Sequence, residues 1–261
     1  MIEKKVLVKN LRVNYKIIGE GKPMLILHGW GSNSEKWIKV GQILAEKKPS
    51  TSLGAGIQII VPDLPGFGKS QEPTVAWSLD DYVDWLYEFC DAISELKNEF
   101  YLLGHSFGGA LATKFTIRYN QKVERLFLIS AACIRKNTTI KKVFYRISKI
   151  IKVFSFLPYY QQFRKSIYKF IIKKSDYLNQ EGIMKETYLK VILDDLSYKM
   201  SFVKVPTIII WGEKDTLTPI EYGNFINKKV INSKIIIIPS ADHSLHRNAP
   251  EVLSEKILEN L

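Results

Sequence analysis

The sequence predicts an α/β fold in which a mostly parallel eight-stranded sheet is flanked by helices on both faces. Eight short aliphatic or β-branched runs recur along the 261 residues, and amphipathic segments of helical length separate most of them. From residue 24 onward the runs are continuous rather than alternating, which is typical of parallel strands buried on both faces. Strand–helix alternation of this kind predicts helices packed on both sides of one sheet.

The predicted elements follow in order along the chain. Two closely spaced runs, KKVLVK and LRVNYKII, predict an antiparallel hairpin that opens the sheet. The later strands are predicted at MLILH, IQIIVPD, FYLLG, RLFLIS, VPTIIIWG and KIIIIP. Helices are predicted over residues 34–47, 79–97, 106–119, 219–229 and 249–261.

The alternation stops between residues 131 and 204. This segment is rich in aromatic residues and lysine, and it contains only helical patterns, such as IKKVFYRISKIIKVFSFL. We therefore expect a helical cap over residues 131–204, inserted into a core domain made of residues 1–130 and 205–261.

The net charge of +12 is concentrated in the same segment. Residues 131–204 carry 16 Lys and Arg against 5 Asp and Glu, and the remainder of the chain is nearly balanced. No nucleic-acid-binding motif accompanies the charge, so we do not expect a nucleic-acid partner. The helical pattern around Lys142 and Arg146 has one apolar face, and it could instead meet an anionic membrane or an acyl-carrier protein. An ordinary cap helix with a solvated basic side is the commoner explanation of such a pattern.

Composition also bears on compartment and cofactors. Cys90 and Cys133 sit in apolar surroundings without metal-like spacing, which is typical of buried thiols in a reducing compartment. The first residues alternate polar and apolar, with no apolar run of signal-peptide length. We expect a cytoplasmic protein with no metal or organic cofactor.

The stretch YLLGHSFGGALATKF contains the strongest chemical signal. A serine fenced by glycines, after a strand and before a helix, is the nucleophile-elbow pattern G-x-S-x-G. The elbow strains the backbone at Ser106 and requires small neighbours, which Gly104 and Gly108 provide. We interpret Ser106 as a catalytic nucleophile rather than part of a structural turn.

Three further polar stretches follow predicted strands. LHGWG can aim a backbone N–H at the same point as the amide of Phe107, so that the two form an oxyanion hole. In VPTIIIWGEKDTLTP, Asp215 lies just past a buried strand, where a helix-capping role is the structural alternative. In SADHSLHRNAPE, His243 is the better candidate base, and His246 is expected at the surface or behind the site. Functional groups collect at the carboxyl ends of parallel strands, so these residues should converge.

The motifs LHGWG, VPDLPGFGKS, GHSFGG, GEKDTLTP and ADHSLHRNAPE, in this order, resemble the α/β-hydrolase fold superfamily over nearly the whole chain. HGWG followed by DLPGFGKS is also similar to pimeloyl-ACP methyl ester esterases. The resemblance implies that Ser106 is the nucleophile, Asp215 the acid and His243 the base, in the order typical of this fold. It also implies that the amides of Trp30 and Phe107 form the oxyanion hole.

The implied function is hydrolysis of carboxylic esters through an acyl-enzyme intermediate, with a small-molecule ester as substrate. C–C bond hydrolase, lactonase, thioesterase and acyltransferase activities use the same triad and stay open, as does a protein that binds a ligand without turnover. Trp30, Phe107, Phe144 and Phe156 could line an apolar acyl pocket. For the two cap phenylalanines, packing of the cap onto the core is the simpler alternative.

Overall fold

The computed structural model describes residues 1–46, 56–135 and 182–261. These residues form one eight-stranded sheet. Its strands are β1 (Ile2–Val8), β2 (Leu11–Ile18), β3 (Lys22–Leu27), β4 (Ile57–Pro62), β5 (Phe100–His105), β6 (Val123–Ile129), β7 (Thr207–Gly212) and β8 (Ser233–Ile238). The mostly parallel α/β fold predicted from the sequence is confirmed.

The strands lie in the order β1-β2-β4-β3-β5-β6-β7-β8. β1 is antiparallel to β2, and β2 to β4, whereas all other neighbours are parallel. The opening hairpin turns at Lys9 and Asn10, which both have positive φ (48° and 62°). Two successive left-handed residues match the right-handed twist of a tight hairpin.

Helices cover both faces of the sheet. The described α-helices are α1 (Ile38–Glu46), α2 (Leu79–Ala92), α3 (Phe107–Arg118), α4 (Gly182–Val191), α5 (Ile220–Lys229), α6 (Leu245–Asn248) and α7 (Pro250–Leu258). α2, α3 and α5 contribute buried side chains to the apolar cluster on one face, and α1 and α7 to the cluster on the other. The central strands are therefore buried on both sides, as their continuous apolar runs require.

Burial falls off at the last strand. Every residue of β7 is buried, whereas most of β8 is only partly buried, and Ile237 is 39% exposed. Among the described strands, β8 pairs only with β7 and is therefore an edge strand of the sheet. Its continuous isoleucine run instead predicts a strand buried on both faces. Edge position is set by tertiary contacts and not by local composition.

Two described helices lie between β6 and β7. α4 is followed by a short 3₁₀ helix, Ser197–Phe202. Val191, Leu196 and Met200 are buried in the same apolar cluster as α2 and α3, and the amide of Leu196 donates to the carbonyl of Cys133 at 2.9 Å. The boundaries of the expected cap, 131–204, stay a prediction.

Several expectations fall on residues outside the described ranges. Phe144 and Phe156, expected to line the acyl pocket, lie there, as do Lys142 and Arg146 of the basic helical pattern. In the described part of the chain, no helix is long and apolar enough to cross a membrane. Cys90 and Cys133 are both buried and unpaired.

Candidate active site

Ser106 stands between β5 and α3 in a backbone conformation that few residues adopt. Its φ is 51° and its ψ is −114°, outside the regions allowed to most non-glycine residues. Its own amide donates to the carbonyl of Ile129 at 3.1 Å, and its carbonyl accepts from Ala132 at 2.9 Å. Hydrogen bonds to the neighbouring strand end thus hold the serine in this strained turn, which raises its hydroxyl above the sheet.

Glycines beside Ser106 make the turn possible. A Cβ on Gly104 would overlap the backbone carbonyl of Gly108, and a Cβ on Gly108 would overlap the carbonyl oxygen of Leu27. Both clashes are with main chain, which cannot rotate away. The G-x-S-x-G spacing is therefore required by the close approach of α3 to β3 and β5.

Asp215 follows β7 in a tight loop that leads to α5. Its Oδ1 accepts from the amides of Leu217 and Thr218, each at 2.9 Å, and its Oδ2 accepts from the hydroxyl of Thr218 at 2.8 Å. Oδ2 also lies 2.8 Å from Nδ1 of His243. Burial alone would raise the pKa of this carboxyl, but the hydrogen bonds from His243 and Thr218 outweigh it and lower the pKa below its ordinary value.

His243 connects Asp215 to the cavity. The Asp215 side chain is fully buried, whereas that of His243 is 14% exposed. Because an ionised carboxylate only accepts hydrogen bonds, Nδ1 of His243 carries the proton and Nε2 is the unprotonated nitrogen of the neutral ring. The main-chain carbonyl of His243 also lies 2.9 Å from Nε2 of His105. The ring is thus oriented from both its side chain and its backbone.

Ser106 and His243 line the same cavity, which has a volume of about 430 Å³. Trp30 and Phe107 also line it, whereas Asp215 lies behind His243. The sequence-predicted residues of this region therefore gather at the carboxyl ends of β3, β5, β7 and β8.

Trp30 and Phe107, whose backbone amides are the expected oxyanion hole, both line the cavity with Ser106. Phe107 is the first residue of α3, so its amide has no intrahelical carbonyl to donate to. Trp30 lies just past β3, and its ring packs edge-on against Phe107 with centroids 5.3 Å apart. Phe67 and Tyr188 also contact the Trp30 ring. These contacts fix the loop that carries the Trp30 amide.

Three further histidines are buried around the site, and burial lowers the pKa of each. His105 and His246 line the cavity, whereas His28 does not. The pKa of His28 falls from 6.5 to about 4; its Nε2 accepts from the amide of Leu64 at 3.0 Å. The pKa of His246 also falls to about 4, and its ring stacks on Trp37 at 4.7 Å. Of the two positions expected for His246, at the surface or behind the site, the structure excludes the first, because His246 is buried at the edge of the cavity. The pKa of His105 lies well below its ordinary value, because the ring is buried and because His246 and His243 are close to it.

Sequence reasoning missed two residues of this region. Thr218 contacts both Asp215 and His243, with its hydroxyl 3.1 Å from Nδ1 of the histidine. In the sequence, Thr218 is marked only by its place directly before Pro219, the residue that precedes α5. Arg135 lines the cavity as well, but nothing in the sequence separates it from the other cations of residues 131–204. Within the described ranges, no group of three or more His, Cys, Asp or Glu side chains could hold a metal ion.

Comparison with known proteins gives one family and several relatives. A family model described as alpha/beta hydrolase fold matches residues 22–152, about half of the chain. Lipase 1 of Psychrobacter immobilis is 23% identical over 241 residues, which cover 85% of this chain and 71% of the lipase.

Solved structures share the architecture. An esterase from Thermogutta terrifontis has a TM-score of 0.72 and 20% identity, with 99% of this chain and 97% of the esterase covered. A meta-cleavage product hydrolase from Pseudomonas fluorescens has a TM-score of 0.71 and 19% identity, with 98% and 96% covered. At these identities the likeness shows a common fold.

Proposed function

Because the chain belongs to the alpha/beta hydrolase fold family, we propose that it is a serine hydrolase that cleaves carboxylic esters. Ser106 is the nucleophile, His243 the general base and Asp215 the residue that orients it. One observation carries the proposal: the strained Ser106 lines the same cavity as His243, whose Nδ1 is hydrogen-bonded to Asp215 behind it. The likeness to a lipase of Psychrobacter immobilis supports an ester as the substrate class.

Acylation begins when the Ser106 hydroxyl attacks the carbonyl carbon of the ester. The proton of the hydroxyl passes to Nε2 of His243, and the carbonyl π electrons move onto oxygen. Asp215 stabilises the imidazolium that forms, because its carboxylate is ionised and fixed by donors from its own loop. The amides of Trp30 and Phe107 donate to the oxyanion, a type of stabilisation whose loss costs roughly a hundred- to a thousandfold in rate.

Collapse of the tetrahedral intermediate breaks the bond to the alcohol oxygen. His243 returns its proton to that oxygen, so the alcohol leaves neutral and the acyl group stays on Ser106. A water molecule then attacks the acyl carbon and loses a proton to His243. The second intermediate releases the carboxylic acid, and the proton returns to Ser106.

The decisive experiment compares two serine variants. Ser106→Ala should abolish hydrolysis of 4-nitrophenyl butyrate and labelling by a fluorophosphonate probe, with an unchanged melting temperature. Ser94→Ala is the matched control, because Ser94 is exposed on the 3₁₀ helix Ser94–Leu96, does not line the cavity, and its side chain hydrogen-bonds only to Glu95 within the described residues. Turnover retained by Ser106→Ala would refute the assignment.

The same assay separates the remaining reaction types. Thioesters, lactones and vinylogous diketones, run beside esters of increasing acyl length, test the thioesterase, lactonase and C–C hydrolase alternatives. Added alcohols test acyl transfer. An ester with the highest kcat/KM is the expected result, and a preferred diketone or thioester would replace the proposed substrate class.

A further inference from the structure

The cavity above Ser106 has an unbalanced charge. Three cationic side chains line it, Lys36, Arg135 and Arg247, and among the described residues no Asp or Glu does. Lys36 and Arg247 are exposed, whereas Arg135 is half-buried. A half-buried cation inside a cavity needs an explanation that a solvated surface lysine does not.

Arg135 has no ion-pair partner in the described part of the chain. No carboxylate there lies within 4 Å of its guanidinium, and its Nε is buried without a hydrogen-bond partner. Asp194 and Asp195 are the acidic residues whose charges act on Arg135, but neither pairs with its guanidinium. Asp194 accepts from Lys114 at 2.6 Å, and Oδ1 of Asp195 accepts from two backbone amides, that of Ser197 at 3.0 Å and that of Arg135 itself at 3.4 Å.

Leaving this guanidinium unpaired is energetically unfavourable. Burial lowers the pKa of Arg135 from its ordinary value, which reflects the cost of removing the charge from water. An arginine nevertheless stays protonated at neutral pH. A ligand anion would offset that cost, and the planar fork of a guanidinium matches a carboxylate or a phosphate through two parallel hydrogen bonds.

We propose that the natural substrate is an ester that carries an anionic group, a carboxylate or a phosphate, which Arg135 binds while Ser106 attacks the ester carbonyl. This inference rests on the proposed esterase function and names its substrate class. The apolar part of the substrate lies against Val191, Ile192 and Leu217, which line the same cavity. Lys36 and Arg247, both exposed, raise the local concentration of the anion at the entrance.

Two matched substrate pairs test the inference. Mono-4-nitrophenyl glutarate and 4-nitrophenyl valerate have acyl chains of equal length and differ in a terminal carboxylate. Butyryl glycerol phosphate and glycerol monobutyrate place the anion on the alcohol side instead. The protein should prefer the anionic member of one pair in kcat/KM, and the pair in which it does so identifies the source of the anion.

Arg135→Gln should lower the ratio of kcat/KM for the anionic ester to kcat/KM for the neutral ester roughly ten- to a hundredfold, because a hydrogen bond to a charged group is lost. Arg135→Lys, which keeps the charge without the fork, should fall between. Arg12→Gln is the matched control, because Arg12 is exposed on β2 and does not line the cavity. It should leave the preference unchanged.

Two outcomes would overturn the inference: no anionic preference in either pair, or a preference that Arg135→Gln leaves intact. Neither outcome contradicts the proposed esterase function. That function is refuted only if no ester is hydrolysed or if Ser106→Ala is as active as the unmodified chain. If no ester is turned over, binding of glutarate and glycerol phosphate to the Ser106→Ala protein still decides the role of Arg135. Binding that Arg135→Gln abolishes supports it, and equal or absent binding contradicts it.

Discussion

Thr218 holds Asp215 with both its backbone and its side chain. The amide of Thr218 donates to Oδ1 of Asp215 at 2.9 Å, and its hydroxyl donates to Oδ2 at 2.8 Å. The same hydroxyl lies 3.1 Å from Nδ1 of His243. Thr218 therefore holds the oxygen that the histidine uses, and the side chains of both Asp215 and Thr218 are buried in an otherwise exposed loop.

Removing the Thr218 hydroxyl should slow catalysis without unfolding the protein. Thr218→Val keeps the shape of the side chain and both backbone donors, so we expect kcat to fall about threefold to tenfold, the cost of one hydrogen bond of about 1 kcal/mol. Thr218→Ser restores the hydroxyl and should recover most of the rate. The measurement is steady-state hydrolysis of 4-nitrophenyl butyrate, and equal rates for the two variants would contradict the assigned contact.

Asp215→Asn should have a much larger effect. The amide that replaces one oxygen can donate, which favours the wrong tautomer of His243, and kcat should fall on the order of ten-thousandfold. Asp242→Asn is the matched control, because Asp242 adjoins His243 in sequence but is exposed and bonds to the amide of Ser244. It should change kcat by less than about threefold. Similar losses of kcat in both variants would mean that Asp215 acts only through its negative charge near His243, and not through its hydrogen bond to Nδ1.

Most of the fold could be predicted from the sequence because buried parallel strands have a strong local signal. The run LRVNYKII coincides with β2, and the other strands begin and end within two residues of their apolar runs. The helix predicted over residues 34–47 begins instead as a 3₁₀ turn, Ser34–Trp37, before α1. Helix ends depend on which carbonyls the surrounding loops satisfy, and composition does not encode this.

Some residues of the site could likewise be predicted from the sequence, and others could not. Ser106, Asp215 and His243 stand in recognisable motifs after strands, so their side of the sheet could be predicted from strand direction alone. The positions of Thr218 and Arg135 could not be predicted. Thr218 contacts Asp215 and His243, and Arg135 lines the cavity, only because the chain folds in this way. A hydroxyl in a loop and one arginine in a basic segment look ordinary until the partner atoms are known.

The buried histidines should make the protein unstable in mild acid. His28 and His246 each have a pKa of about 4 in the folded state against 6.5 ordinarily. The unfolded chain therefore binds protons that the folded chain does not as pH falls from 6.5 towards 4, so stability is complete above pH 6.5 and is lost over this window. Each histidine should lower the free energy of unfolding by about 2 kcal/mol between pH 7 and pH 5.

Urea unfolding at the two pH values measures this loss, and His28→Gln identifies its source. Glutamine can accept from the Leu64 amide, as Nε2 of His28 does at 3.0 Å, but it does not titrate. Because His28 has a pKa of about 4 in the folded state, the variant should lose about 2 kcal/mol less than the unmodified chain between pH 7 and pH 5. An identical pH dependence in both proteins would show that His28 is not a source of acid sensitivity.

Two glycines predict opposite tolerance to alanine. A Cβ on Gly104 would overlap the backbone of Gly108, whereas a Cβ on Gly182, at φ 58°, would meet no atom of the described residues within 4 Å. Gly104→Ala should destabilise the protein by about 3 kcal/mol or more and abolish esterase activity. Gly182→Ala should cost about 1 kcal/mol, the price of a left-handed alanine. Thermal melts and soluble yield compare them, and equal losses would exclude backbone overlap as the cause.

His105 should act as a positioning residue for His243. Its Nε2 lies 2.9 Å from the His243 carbonyl, so Nε2–H is the donor and Nδ1, which is buried without a partner among the described residues, is unprotonated. His105→Gln can keep a donor near this carbonyl, whereas His105→Leu cannot. Because a misplacement of about 1 Å at a catalytic group can cost a hundredfold in rate, the leucine variant should lose roughly ten- to a hundredfold in kcat.

The readout must separate positioning from packing. Loss of positioning lowers kcat for 4-nitrophenyl butyrate more than it changes KM, because the misplaced His243 acts in the transition state and not in substrate binding. Loss of packing lowers the melting temperature of both variants together, since each fills the space of the imidazole imperfectly. A glutamine variant that recovers kcat while melting no higher than the leucine variant would establish the hydrogen bond to His243 as the active element. Equal kcat in the two would reduce His105 to a core residue.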